Sequence, residues 1–209
     1  MIFSFAENKN KGIEFDSREV TKILIDSLQS EDATKTYLAL CDGDGTWNGI
    51  NYMEKGWFTM NKSVKDEWDK PIEAETDICF IAGMTLPSSE GDEDVREGRK
   101  VSLVLARPKT GKFHQIRQHL ASGTIGHAIL GDSSHGRSRT NRIWKKKRHL
   151  IKERTCLHLL QVKLPPTKFS PDGIECSSPL PQDMLNMLSA MPELLDKARP
   201  LLLNEGIDI

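Results

Sequence analysis

Apolar positions in this chain recur as short segments divided by turn residues, at 1–6, 36–41, 72–82, 100–106, 127–130, 155–164 and 174–176. Most are rich in β-branched residues or alternate apolar with polar, the pattern of strands. Strand side chains alternate between faces, so Val101, Leu103 and Leu105 are expected on one sheet face and Leu38 with Leu40 on another. Helical spacing appears in three other places. Asp16 with Glu19 reads as a cap ahead of Val20, Ile23, Leu24 and Leu28. Thr110 is expected to cap a helix over 112–121, apolar at Phe113, Ile116 and Leu120 and stopped by Gly123. A third begins near Pro181 and presents Met184, Leu185 and Leu188, with Pro192 breaking or restarting it. Stretches 47–69, 87–98 and 165–173 carry Gly, Pro, Asn or acidic residues and are expected as surface loops. Strands outnumber helices and many connections are too short for a crossover helix. The expected fold class is therefore α+β, a mixed, mostly antiparallel central sheet with flanking helices.

Length adds that the 209 residues suit a single domain. No apolar run approaches the roughly 18–20 residues of a membrane-spanning helix, so no membrane partner is expected. The cysteines at 41, 79, 156 and 176 form no Cys-x-x-Cys pair and are expected reduced. Cys156-x-His158 has no second ligand pair at a useful spacing, so no metal is expected. Net charge is −1, yet residues 107–154 hold thirteen Lys/Arg against two acidic residues. Such a localised surplus predicts a polyanion-binding face, or else a solvated charge run.

The densest chemistry lies in Arg107-Pro-Lys-Thr-Gly-Lys-Phe-His-Gln-Ile-Arg-Gln-His-Leu120. It reads as a strand end, a tight turn at Gly111 and a helix start whose N–H groups, beside Lys109 and Lys112, would hold a phosphate. His114, Arg117, Gln118 and Ala121 share the polar face of that helix. An amphipathic surface helix with solvated polar residues fits the same spacing.

Lys109-Thr-Gly-Lys-Phe-His-Gln-Ile-Arg117, followed by Ile125-Gly-His-Ala-Ile-Leu-Gly-Asp132, resembles the signature of the RluA-type pseudouridine synthases. So do Lys35-Thr-Tyr-Leu-Ala39 after a helix and Cys156-Leu-His-Leu159 before a strand ending in Leu164-Pro165-Pro166. The pieces follow the family's order. Gly131-Asp-Ser-Ser-His-Gly136 with Asn141-Arg142 further resembles the TruC-like, tRNA-modifying branch. The resemblance implies a cofactor-free, metal-free isomerisation that breaks the ribose C1′–N1 bond of uridine and rejoins the base through C5. It implies that the uridine is drawn out of its stack, that Tyr37 stacks on it and handles the C5 proton, and that Arg117 pairs with a catalytic carboxylate. The implied partner is structured RNA, transfer or ribosomal.

Departures qualify the picture. Ala128 stands where the family has Pro, and Lys112 where Arg is frequent, which loses bidentate geometry. The family's catalytic aspartate sits in an Arg-Leu-Asp loop just before a strand ending Phe-Ala-x-Asn. Here that strand would be residues 1–6, with Phe5-Ala-Glu-Asn8 as its end, so the loop would fall upstream of Met1. No Arg-Leu-Asp occurs in the chain, and neither Asp16 nor Asp132 is a fitting substitute. The expectation is thus a catalytic domain over 1–209 lacking its catalytic-loop segment, with a non-catalytic RNA-binding remnant as the alternative. A hydrolase built on Gly131-Asp-Ser-Ser134 would need a strand-to-helix elbow and an oriented base, and neither is evident. RNA contact is expected from Lys109, Lys112 and His114, and from the run holding Arg137, Arg139, Arg142, Lys145, Lys146, Lys147 and Arg148, with Trp144 stacking on a base. A monomer is expected. The default compartment is the cytoplasm, or an organelle if a targeting peptide precedes Met1.

Overall fold

The computed structural model of the chain describes residues 16–87, 99–147, 150 and 154–207. The strand expected over 1–6, most of the 87–98 loop and Arg148 lie outside the described residues.

Helix α1 (Ser17–Gln29) begins where the cap signal placed it, with the Asp16 carboxylate accepting from the Arg18 N–H at 2.9 Å. The chain then enters β1 (Thr34–Asp42), and short pieces follow: β2 (Thr46–Trp47), β3 (Ile50–Asn51), β4 (Phe58–Met60), β5 (Val64–Lys65) and β6 (Pro71–Ile72). Two long strands come next, β7 (Thr76–Thr85) and β8 (Lys100–Pro108), then α2 (Gln115–Ala121) and α3 (Ser138–Lys147). The chain closes with β9 (Leu157–Leu164), β10 (Ile174–Ser177), α4 (Gln182–Ser189) and α5 (Pro192–Asn204). Six strands form one antiparallel sheet in the order β10-β9-β1-β8-β7-β4, the α+β class expected.

The interior strands β1 and β8 are covered on both sides, and Leu38 through Cys41 are fully buried. Register corrects one expectation: Leu38 pairs with Leu105 and Leu40 with Leu103, so these residues share a face instead of opposing one another. The same alternation separates the helices. Gln115 and His119 of α2 bond to Thr76, whereas Glu205, after α5, bonds to Arg107, whose strand partner is Asp77. Neighbouring strand positions face opposite ways, so α2 and the end of α5 lie on opposite sides of the sheet. Tyr37, Ala106 and Ile78 are in register two positions from Thr76 and therefore face α2.

Three other expectations change for identifiable reasons. The predicted strand 72–82 divides because the Glu75 backbone is taken by the 109–110 turn, through Lys109 N–H to Glu75 O at 2.9 Å and Glu75 N–H to Thr110 Oγ1 at 3.0 Å. Segment 127–130 runs beside the end of β1 but makes only an isolated bridge, Cys41 to Ile129. The positive-φ glycines Gly126 and Gly131 bound it on both sides. Stretch 47–69 is not all surface: the ring of buried Tyr52 stacks with Phe58 and Phe80, and its hydroxyl donates to Thr124 O at 2.7 Å. All four cysteines are free, as expected, with Cys41, Cys79 and Cys156 buried.

At the far end of the chain, Pro192 opens α5 in its first turn. A side-chain clamp holds the turn after this helix. The Arg107 guanidinium lies 4.3 Å from the Trp57 ring centroid and donates to Glu205 at 2.5 Å, while Trp57 Nε1 donates to the same carboxylate at 2.8 Å. Glu205→Ala leaves both donors without this acceptor. Urea unfolding of this variant is expected to show a loss of about 1–2 kcal/mol. Part of that loss should disappear at high salt, because the pair is partly exposed.

Candidate active site

A cleft of about 290 Å³ opens on the α2 side of the sheet and brings Tyr37 and Arg117 together with Lys35, Lys112 and His114. Tyr37 comes from β1, at a register shift in its pairing with β9, and Leu157 and Ile116 provide apolar lining. The Tyr37 hydroxyl has no hydrogen-bond partner among the described residues. Burial raises its pKa, so at neutral pH it is a protonated phenol, a stacking surface with a donor at its tip.

Helix α2 starts three residues later than the spacing predicted, and Gln115 is the reason. Its buried side chain accepts from Thr110 Oγ1 at 2.8 Å and Lys112 N–H at 3.0 Å, and donates to Glu75 O and Thr76 Oγ1, both at 2.8 Å. Thr110 therefore serves the turn and does not cap the helix. His114 precedes the helix with a left-handed φ of 50°. At the expected phosphate site of this helix start, two of the donors are engaged within the chain. Lys109 is paired with Glu75 at 2.6 Å and Asp77 at 3.2 Å, and the Lys112 N–H already has its acceptor. Lys112 itself is exposed at the cleft.

The strongest electrostatic feature is the Arg117–Asp132 pair. Arg117 Nε donates to Asp132 Oδ2 at 2.8 Å and Nη2 to Oδ1 at 2.6 Å, the bidentate geometry that fixes a guanidinium plane. Oδ1 also accepts the N–H groups of Ser134 and His135, each at 2.9 Å. Burial alone would raise the Asp132 pKa, but Arg117 and these two N–H groups outweigh it and hold the carboxyl at about 2. Asn141 secures the turn, accepting from Gly131 N–H at 2.8 Å and donating to Asp132 O at 2.9 Å. Gly131 is required there, because a Cβ would stand 1.7 Å from Arg154 O at a φ of +80°. The carboxylate side chain is fully buried, so Asp132 orients Arg117 and is closed to substrate. The motif containing Asp132 is visible in the sequence, but its pairing is not, since the two residues come together only in the fold.

Beside this pair, His135 Nε2 lies 3.3 Å from His114 Nδ1, and the His114 ring stacks on Phe113. Burial lowers both histidine pKa values. Arg117 and His135 lower His114 further against a smaller rise from Asp132, while at His135 the Asp132 carboxylate offsets part of the fall and Arg117 adds to it.

The basic run folds as α3, a helix that the spacing did not predict. Thr140, Asn141 and Trp144 turn inward while Arg139, Arg142, Lys145, Lys146 and Lys147 are exposed. The available signal is those inward positions, one turn apart within a charged stretch. Trp144 is 1% exposed and is core, so it cannot stack on a base. Arg137 is tied to Asp42 and Gly126 O.

A family model described as RNA pseudouridylate synthase matches residues 16–122, just over half of the chain. Proteins named tRNA pseudouridine synthase C are similar. The one from Yersinia pestis is 30% identical over 137 residues, covering 60% of this chain and 48% of its own length. That from Haemophilus ducreyi is 28% identical over 128 residues, covering 59% and 49%. The chain thus spans about half the length of these curated relatives. Two solved human proteins share the fold. RNA Pseudouridylate Synthase Domain Containing 1 has a TM-score of 0.56 at 19% identity, covering 79% of this chain and 62% of its own. Domain Containing 4 has a TM-score of 0.53 at 16% identity, covering 83% and 67%.

The depressed Asp132 pKa makes a stability prediction. A carboxyl whose folded pKa lies below its unfolded value stabilises above that unfolded value and loses the contribution as pH falls through the folded one. Asp132 therefore contributes about 2 kcal/mol above pH 5, fading between about pH 4 and 2. In urea unfolding at a series of pH values, Asp132→Asn should be destabilised at pH 7 and should converge toward the unmodified protein below pH 3. A gap that stays constant with pH would contradict the assignment.

Proposed function

Because the chain belongs to the RNA pseudouridylate synthase family, we propose that it binds structured RNA and receives a uridine, drawn from its stack, in the Tyr37–Arg117 cleft for isomerisation to pseudouridine. The observation that carries this reading is the convergence of Tyr37 from β1 and Arg117 from α2 at one cleft, with Arg117 locked in orientation by Asp132. The names of the curated relatives favour transfer RNA as substrate. In the reaction the C1′–N1 bond breaks, the base turns, C1′–C5 forms, and the proton leaving C5 is balanced by protonation at N1. Tyr37 offers its ring to the flipped base and its hydroxyl near C5. Arg117, with only part of its donor set engaged by Asp132, presents fixed positive charge toward a carboxylate or the substrate.

Among the described residues no Asp or Glu lines the cleft, and Asp132 is sequestered. That observation favours a second reading, RNA binding without turnover by the chain as it stands. Release of tritium from C5-labelled uridine in transfer RNA separates the two. Under the first reading the chain releases tritium, and Tyr37→Phe lowers the rate about a hundred-fold or more with RNA affinity little changed. Binding with no release by the unmodified chain leaves the second reading.

The exposed cations of α3 set the salt response under either reading. Contact with roughly five phosphates predicts a slope of log affinity against log salt of about −3.5 to −4.5. A flat response in a filter-binding titration would exclude this face as the RNA contact.

A further inference from the structure

A second cavity, of about 640 Å³, opens at the C-terminal end of β1 and is lined by a different set of residues. One wall is a fixed stack. Trp47 is held by its Nε1–H donating to Gly123 O at 2.9 Å, and it packs so closely on Gly126 that a Cβ there would fall 2.2 Å from the indole. The Arg137 guanidinium lies 5.3 Å from the Trp47 ring centroid and donates to Asp42 Oδ2 and Gly126 O, each at 3.0 Å. Asp42 is buried and also accepts from Thr140 Oγ1 at 3.2 Å. These partners pin Arg137 in place, yet 47% of its side chain is exposed. It therefore shows a rigid, planar cation to the cavity. Lys100, 55% exposed and bonded to Asp44 at 2.8 Å, lines the same space, as does Arg139.

Planar guanidinium groups carry the bases of unpaired RNA, and clustered cations take its phosphates. The cavity is also placed for the same strand. His135 touches His114 of the Tyr37 cleft at 3.3 Å, and Arg137 follows two residues later, a chain span of at most about 7 Å. Opening a stack to extract one uridine leaves neighbouring bases without partners.

We propose that this cavity binds a second, unpaired nucleotide of the RNA whose uridine occupies the Tyr37 cleft, its base against Arg137 and its phosphate met by Lys100 and Arg139. The inference rests on the RNA reading above. It makes Arg137 a specificity-determining contact and not one more phosphate-binding cation.

The test compares two RNA probes of equal length, one fully paired and one a stem–loop. Arg137→Ala is expected to weaken stem–loop binding roughly ten-fold, the scale of one base stack, and to leave the duplex nearly unaffected. Lys146→Gln, on the exposed face of α3, should weaken both probes alike. Equal weakening of both probes by Arg137→Ala, or no weakening, would overturn the proposal. Because Arg137→Ala leaves Asp42 without its cation and can unfold the chain, a second measurement uses the unmodified protein. A stem–loop carrying 4-thiouridine beside the target uridine should photo-crosslink to peptides holding Trp47 or Arg137. Crosslinks confined to other peptides would overturn the proposal independently. If the unmodified chain bound neither RNA, the RNA reading itself would fail, and this site with it.

Discussion

The bidentate contact between Arg117 and Asp132 is the constraint on which the rest of the site depends. An arginine on a seven-residue helix at a cleft edge would ordinarily sample several rotamers. Here a buried carboxylate takes two of its donors, two backbone N–H groups hold that carboxylate, and Asn141 holds the turn bearing it. Burying the pair costs desolvation, and the four hydrogen bonds to the carboxylate offset that cost. Arg117 thereby becomes a fixed charge, as a preorganised site requires.

The sheet supplies the other half of the geometry. Strand β1 is covered on both faces beyond Thr36, so its register is strongly specified, and a slip of one residue would turn Tyr37 away from α2. On the opposite face Arg107 ties the strand to the end of α5 through Glu205. The segment from Gly131 to Thr140 then does two jobs within a few residues. Asp132 and His135 contact Arg117 and His114 of the Tyr37 cleft, while Arg137 and Thr140 build the wall of the second cavity. One stretch of chain thus couples both places where RNA is proposed to bind.

Legibility in the sequence tracks the range of the interactions. The α1 cap, strands β1, β8 and β9 and the start of α4 depend on neighbours a few residues apart, and the pattern locates them. The motif context likewise brings Tyr37 and Arg117 to one site. Bonds across the fold leave no such pattern. Gln115 bonded to Glu75 and Thr76 shifts the start of α2 and uses up the N–H of Lys112. Glu75 and Asp77 pair with Lys109, and Asp132 meets Arg117. Charge on both sides of Trp144 suggests a base-stacking residue, but its helical position relative to Thr140 and Asn141 buries it.

The central claim is that the Tyr37–Arg117 cleft accepts a uracil ring. A crystal structure of the chain with a transfer-RNA stem–loop carrying 5-fluorouridine at the target tests it most directly. The account predicts that base outside the RNA stack, its ring against Tyr37, with Arg117 still paired to Asp132. A base left stacked in the RNA, or bound away from Tyr37, would contradict it.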